Sequence, residues 1–156
     1  MTTRAIGWTI CAAGVVAIAG CSTGPTFRPV ASIEQIMQAS VEPASNAIFD
    51  AAAWVNGEQV GGPRTDDDWR LVEANARMLA ETGNLLLMGS RLKDETGWVV
   101  RTQAMMDAAN DAAAAAAAKD TQRIFDAGTK IYLACTGCHL QYINPAAKAP
   151  AAPASH

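Results

Sequence analysis

The chain has 156 residues, a formal net charge of −3 and 50% hydrophobic residues. Once its terminal segments are set aside, this length suffices for one domain with its own core and is too short for two. The mild acidity argues against a nucleic-acid-binding protein, because such proteins neutralise phosphates with clustered Lys and Arg.

Residues 1–20 have the features of an export signal. Arg4 is followed by an uncharged apolar segment that ends in small residues just before Cys21. This segment is shorter than the roughly 20 apolar residues that a membrane-spanning helix prefers. We therefore interpret it as a signal peptide rather than a transmembrane anchor. Its last residues, Ile-Ala-Gly followed by Cys21, resemble the lipobox of bacterial lipoproteins.

The resemblance to lipoproteins implies that Cys21 is acylated and becomes the first residue of the exported protein. An ordinary secretory signal cut nearby and a short uncleaved anchor are the alternatives, and either would still export the chain. The acyl chains would tether the protein to the periplasmic side of a bacterial membrane. Ser22 is compatible with the outer membrane by resemblance to lipoprotein sorting rules. Removal of residues 1–20 takes away Arg4 and no acid, which changes the formal net charge from −3 to −4.

The next segments in chain order are a tether, a helix and a loop. Residues 21–31 contain Gly and Pro and are predicted to be a tether. The first helix is predicted from a cap at Ser32 to about Val55, and Pro43 should kink it or mark a restart. Residues 56–63 are rich in Gly and are predicted to form a loop.

Two further helices are predicted from caps and apolar spacing. Thr65 and Asp68 resemble a capping box with a shorter acid, and the second helix should end near Met88-Gly89. The third helix is predicted to begin around Thr96 and to continue through an alanine run as far as Ala118. We assign this run no chemistry, because Ala has the highest helix propensity and lets neighbouring helices approach closely.

The fourth helix is predicted to begin at Asp120 or Thr121 and to stop at Asn144-Pro145. The Ala/Pro-rich residues 146–156 are predicted to be a disordered tail. Four amphipathic helices with mostly short connections predict an all-α fold, an antiparallel four-helix bundle over residues 32–145.

The fourth helix carries the run Cys135-Thr-Gly-Cys138-His139 near its end, which is the attachment pattern of a c-type haem. Two thiols three residues apart lie on one face of a helix, and each can form a thioether to the haem. His139 then offers its imidazole as the proximal ligand of the iron. The pattern predicts one covalently attached haem c.

A redox pair, a zinc site and a disulfide each fit these two cysteines less well. A redox Cys-x-x-Cys is expected beside a βαβ pattern, and a structural zinc site needs four ligands, whereas His156 is the one further histidine. A disulfide between Cys135 and Cys138 would close too small a loop to stabilise much. The export signal independently favours haem attachment, which belongs outside the bacterial cytoplasm. With Cys11 in the signal peptide and Cys21 acylated, no cysteine is left for a disulfide framework.

Four helices with Cys-x-x-Cys-His at the end of the last resemble the class II cytochromes c, the cytochrome c′ fold, from about Ser32 to Pro145. The run from Ile33 to Pro43 is similar to the first helix of a subset whose haem is six-coordinate. The resemblance implies that Met37 binds the iron on the side opposite His139. A methionine at helical spacing is otherwise more often a core residue.

The resemblance also implies which side chains lie near the haem. Tyr142 matches an aromatic position that follows the motif in the family and should pack near the proximal face. Three methionines are expected to be packing residues, although the first could face the haem: Met88, Met105 and Met106. Apolar residues expected to pack against the haem are Ile33, Val41 and Ile131. Candidates for pairing with a haem propionate are Arg91, Lys93 and Arg101, although charged side chains are mostly exposed.

These predictions together indicate a carrier of single electrons and not an enzyme, because an iron with six ligands favours outer-sphere electron transfer. The expected partner is a redox protein with a basic docking patch, since the exported chain is acidic. The resemblance leaves a homodimer open.

Three further functions are alternatives. A five-coordinate haem would instead bind nitric oxide or carbon monoxide, but Ile143 stands where many gas-binding members have a basic residue. A peroxidase would need a distal acid/base group, and no histidine is left for that role. The third alternative is a structural helical bundle whose cysteine pair is incidental.

Overall fold

A computed structural model describes residues 27–143, and four helices pack around one core within them. The predicted signal peptide, the lipidation site at Cys21 and the tail over residues 146–156 lie outside the described residues. In the part of the chain that the structure covers, no helix combines the length and the apolar character needed to cross a membrane. The class predicted from the sequence, all-α, is confirmed.

The first helix has three successive parts: α1 (Ile33–Ile36), a π-helical segment (Met37–Val41) and α2 (Glu42–Asp50). Ser32 caps it as predicted, because its hydroxyl accepts from the backbone N–H of Gln35 while the Gln35 side chain accepts from the backbone N–H of Ser32. This reciprocal pair satisfies two N–H groups that have no partner inside the helix.

The restart predicted at Pro43 is confirmed. Pro43 is the second residue of α2, two positions after the end of the π-helical segment. In that segment the backbone N–H of Glu42 bonds to the Met37 carbonyl, five residues back. Proline has no N–H and cannot continue the α-helical series of bonds, so the wider turn lies where that series is interrupted.

The prediction that the first helix reaches Val55 is wrong. α2 ends at Asp50, and a small antiparallel hairpin follows, formed by β1 (Trp54–Val55) and β2 (Glu58–Gln59). Its two-residue turn is Asn56-Gly57, with φ of 52° and 84°. Positive φ at both positions matches the twist of paired strands, and Asn-Gly is the dipeptide that favours it. The sequence therefore contained the hairpin signal inside what we predicted to be a loop.

The remaining helices agree with the sequence predictions to within a few residues. Thr65 forms the predicted capping box with Asp68, and Asp120 caps the last helix through the backbone N–H of Arg123. A short 3₁₀ turn at Gly89–Arg91 follows the second of the predicted helices. The three long helices are α3 (Asp66–Leu87), α4 (Gly97–Ala117) and α5 (Thr121–Tyr142).

The core lies between these helices: α3 packs along α4, α4 packs along α5, and α2 contacts both α3 and α5. Ile48, Leu79 and Ile124 are fully buried, and each such side chain stabilises the fold by roughly 1.5–3 kcal/mol relative to exposure. Alanines of α4 are also fully buried, including Ala109 and Ala112. Their small side chains allow α4 to lie close to both neighbours.

Candidate haem site

The motif residues occupy the last turns of α5. Cys135 and Cys138 are half-buried and not joined in a disulfide, and His139 is exposed. Burial raises the pKa of both thiols, and for Cys138 the charge of Cys135 raises it further while the charge of Arg101 lowers it. The two thiols are therefore protonated at neutral pH.

A cavity of about 240 Å³ lies between the first helix and α5. Met37 and Val41 line it from the first helix, and Cys135, Cys138 and His139 line it from α5. The predicted distal ligand and the predicted attachment residues lie about 100 positions apart in the chain, and they share one cavity.

A second cavity, of about 520 Å³, adjoins the first. Ile33 and Tyr142 contribute to its lining, and it shares Met37, Cys138 and His139 with the first cavity. Because the same three side chains border both spaces, the two cavities are parts of one cleft. We call it the motif cleft.

The motif cleft includes the predicted iron ligands, both cysteines and every residue predicted to pack against the haem except Ile131. Ile131 is fully buried in the core and lies one turn before Cys135 on α5. Met105, which we expected to be a packing residue, is 4% exposed and also lines the first cavity. Its spacing of seven from the buried Trp98 could have placed it on the inner face of α4. Met88 is the C-terminal cap of α3.

Met37 is the first residue of the π-helical segment, and a hydrogen-bond chain attaches that segment to α3. The Thr82 hydroxyl donates to the Met78 carbonyl at 2.8 Å, so the single proton of Thr82 is used there. Ser40 must then donate to Thr82 across the 2.6 Å between their hydroxyl oxygens. Thr82 is 1% exposed, so this contact fixes the segment against a buried partner.

The hydroxyl of Tyr142 donates to the carboxylate of Asp94, just before α4. The same carboxylate accepts the backbone N–H groups of Thr96 at 3.0 Å, Gly97 at 2.6 Å and Trp98 at 3.1 Å. Asp94 therefore joins the end of α5 to the start of α4. The hydrogen bond from Tyr142 and those from the backbone lower the pKa of Asp94 to about 2. Burial, with the hydrogen bond to Asp94 and its charge, raises the pKa of Tyr142 to about 12.

An aromatic contact supports the same junction. The rings of Trp98 and Tyr142 meet edge to face, with centroids 5.1 Å apart and planes at 83°. The Trp98 indole N–H donates to the Leu86 carbonyl at 2.9 Å. Tyr142 borders the cleft, and it also anchors the helix that carries the motif, which the sequence did not predict.

The three basic residues considered as propionate partners have different surroundings. The expectation of an exposed charge is wrong for Arg91, which is 6% exposed and donates to the carbonyls of Ala31 and Leu85. Lys93 is exposed at the second cavity. Arg101 is half-buried and lines the first cavity.

The donor set of the motif cleft fits a covalently attached haem. Two free thiols are available for thioethers, and the His139 imidazole and the Met37 thioether are both iron ligands of c-type haems. Apolar side chains such as Val41 and Leu86 complete the lining. Over residues 27–143, no three His, Cys, Asp or Glu side chains are grouped as a metal-ion site.

Comparisons of this chain with protein-family models, with curated proteins and with solved structures found no match.

Proposed function

We propose that the chain is a c-type cytochrome that carries single electrons. One haem c would be attached through Cys135 and Cys138, with His139 and Met37 as the iron ligands. The observation that carries the proposal is the shared lining of the motif cleft, where the π-helical segment and the attachment motif meet. π-helical turns within α-helices occur frequently at functional sites, which further supports a role for Met37.

The class II resemblance extends the proposal to an antiparallel four-helix bundle. Two observations support it. Helices that follow one another in the chain also pack along one another, and the connections over residues 88–96 and 118–120 are short. The motif at the end of α5 then faces the first helix, which is the arrangement expected of that family.

A bound haem supplies a one-electron iron couple. The cysteines would fix its attachment, and His139 and Met37 would supply the donor atoms to the iron. Val41 and Leu86 exclude water from the cleft, which disfavours the more highly charged ferric state. The exposed His139 lies at the surface, where a partner can approach the site. No substrate bond is made or broken in this role, so we propose a carrier and not an enzyme.

The exposed carboxylates of Glu34 and Glu42 lie at the two cavities of the motif cleft. Together with the acidic exported chain, they support a redox partner that docks with a basic patch. We also propose that Cys21 carries lipid and that the domain faces the periplasm. That part rests on the sequence alone, and mass analysis of the N-terminal peptide tests it.

The variant Met37→Leu tests the ligand assignment. We expect it to keep covalent haem and to change the ferric spectrum from low-spin to high-spin, because leucine offers no lone pair to the iron. The matched control is Met106→Leu, since the Met106 side chain packs beside Gly83, between α3 and α4. Its spectrum should equal that of the wild type.

Other outcomes of this experiment would overturn the assignment. A ferric spectrum that stays low-spin in Met37→Leu removes Met37 as the ligand. If Met105→Leu gives the high-spin spectrum instead, Met105 is the ligand. If the unmodified protein is already high-spin and binds nitric oxide or carbon monoxide, the chain is a five-coordinate gas binder rather than a carrier.

A further inference from the structure

A further cavity, of about 360 Å³, lies between the end of α2, the hairpin and the first half of α5. Four aromatic side chains line it, and we call it the aromatic groove: Phe49, Trp54, Phe125 and Tyr132. Trp54 is 42% exposed, Phe125 44% and Tyr132 61%. Single exposed apolar side chains are normal, whereas a group of them around one concave surface indicates a binding site.

The chemistry of the aromatic groove suits a proline-rich ligand. Grooves lined by aromatic rings bind segments in the polyproline II conformation. This conformation has three residues per turn, so prolines three positions apart project from the same side. The sequence contains such a pair in Pro150-Ala-Ala-Pro153. The pair belongs to residues 144–156, which follow the last described residue, Ile143.

Ile143 lies on the same face of α5 as two rings of the groove. It follows Phe125 by 18 positions and Tyr132 by 11, and it caps the helix with a right-handed helical backbone. Successive helical residues are about 100° apart, so the three side chains fall within about 20° of one another. The chain therefore leaves α5 in line with the groove. The next two residues, Asn144-Pro145, form a dipeptide that favours a turn.

The length of residues 144–156 matches the distance back to the groove. Tyr132 lies about 17 Å of helix rise before Ile143, and Phe125 about 27 Å. At the polyproline II rise of about 3.1 Å per residue, Pro150 comes about 22 Å after Ile143 and Pro153 about 31 Å. A chain that turns back thus brings Pro150 to Tyr132 and Pro153 to Phe125. In each case about 4–5 Å of chain is left for the turn.

Charge complementarity favours the same path. Glu42 is exposed and lies two turns before Phe49 on the same face of α2. Phe49 packs beside Gly128, and the first helix runs antiparallel to α5, so Glu42 is level with a point about seven residues beyond Gly128. Lys148 carries the one charged side chain of the terminal segment at pH 7. After the turn it passes close to this level, where Glu42 attracts it.

We propose that residues 144–156 turn back along α5 and that Pro150 and Pro153 bind in the aromatic groove. The segment covers the exposed rings and keeps the groove from other proteins. The contact needs no helix or strand, because a polyproline II segment has no internal hydrogen bonds.

Nuclear Overhauser contacts in the purified full-length protein test the proposal. We expect the ring of Tyr132 to contact Pro150 and the ring of Phe125 to contact Pro153. The matched control combines Ala152→Pro with Pro153→Ala, which keeps the composition and breaks the three-residue spacing. This variant should lose the contact to Phe125. A wild-type protein without any contact between residues 144–156 and the groove would overturn the proposal.

Substitutions on α5 provide a second measurement. Tyr132→Ala removes one ring of the groove and should shift the amide resonances of Ala151 and Ala152. Leu133→Ala is the control, because Leu133 is 63% exposed and does not line the groove. It should leave these resonances unchanged. Equal shifts in the two variants would contradict the assignment of the binding site.

A mixture of isotope-labelled and unlabelled protein distinguishes the chain's own terminal segment from that of a second copy. Contacts confined to the labelled copy support the proposal. Contacts between a labelled groove and an unlabelled segment would overturn it, because the groove would then join two copies of the chain.

Discussion

The half of the molecule around the alanines of α4 and the half around the motif are built differently. The first is packed with small and branched apolar side chains such as Ala109, Ala112 and Ile124, all fully buried. The second contains the motif cleft and two buried side chains, Thr82 and Arg91, that bond to groups distant in the chain. The buried polar and charged residues of the described chain all belong to this half: Ser45, Thr82, Arg91 and Thr102.

The difference indicates a division of work between stability and function. Close packing in the alanine half stabilises the fold without any cofactor. In the motif half, hydrogen bonds fix the positions of individual side chains. The packing there leaves open space that a cofactor could fill. Substitutions in the alanine half should therefore change mainly the stability of the fold. Substitutions in the motif half should change mainly the haem spectrum.

The largest expected effect is in the alanine half. Ile124→Ala removes a fully buried side chain and should lower the free energy of unfolding by about 2–5 kcal/mol, through lost burial and a residual cavity. Urea unfolding followed by circular dichroism measures this change. The haem spectrum of the folded protein should be unchanged. A shifted spectrum would contradict the claim that the alanine half contributes to stability and not to the haem environment.

A smaller effect on stability is expected from Thr82→Val in the motif half. The variant removes the acceptor of Ser40 and should lower the free energy of unfolding by about 1–2 kcal/mol. It should also weaken the near-infrared band that reports methionine bound to ferric iron, because the segment that carries Met37 is no longer held. Thr129→Val is the control, since the Thr129 hydroxyl makes a similar bond to the Phe125 carbonyl, 3.1 Å away at an exposed position. An unchanged band in Thr82→Val would show that this bond does not position Met37.

The junction of Tyr142 with Asp94 predicts how stability depends on pH. The pKa of Asp94 is lowered to about 2, so its contribution is present above the usual pKa of an aspartate and is lost as the pH falls through about 2. The pKa of Tyr142 is raised to about 12, so its contribution is present below its ordinary value of 10 and is lost as the pH rises through about 12.

In Tyr142→Phe, the acid limb of this profile should move to higher pH, because Asp94 loses the hydrogen bond that lowers its pKa most. The alkaline limb should become flatter. Thermal unfolding across the pH range measures both limbs, and Tyr132→Phe, at an exposed position of the same helix, is the control. A Tyr142→Phe profile that superimposes on the wild-type profile would show that the junction contributes nothing to stability.

The smallest effect is expected at a surface ion pair of the alanine half. Lys130 and Asp111 lie 2.9 Å apart, with side chains 61% and 57% exposed. Solvent screens such a pair, so Lys130→Gln should change the free energy of unfolding by less than about 1 kcal/mol. A loss as large as that of Ile124→Ala would show that packing does not dominate the stability of this half.

Features set by neighbouring residues could be predicted from the sequence. The caps at Ser32, Thr65 and Asp120 depend on side chains that bond within three residues, and the structure has all of them. The first helix was predicted too long because its apolar spacing was given more weight than the Asn56-Gly57 turn signal.

Contacts between distant residues could not be predicted in this way. Arg91 bonds to a carbonyl 60 positions earlier, and Tyr142 bonds to a carboxylate 48 positions earlier. Neither contact has a local pattern, since each depends on how the helices come together. The motif in the sequence identified one wall of the cleft, and the family resemblance indicated Met37 on the other. The close contact between Arg101 and Gly137 became visible in three dimensions.

An optical spectrum of the purified protein in both oxidation states tests the central claim most directly. The account predicts covalent haem, a low-spin ferric spectrum and the weak near-infrared band of methionine bound to ferric iron. A protein without covalent haem, or a high-spin ferric spectrum without that band, would contradict the proposal of a His139/Met37 electron carrier.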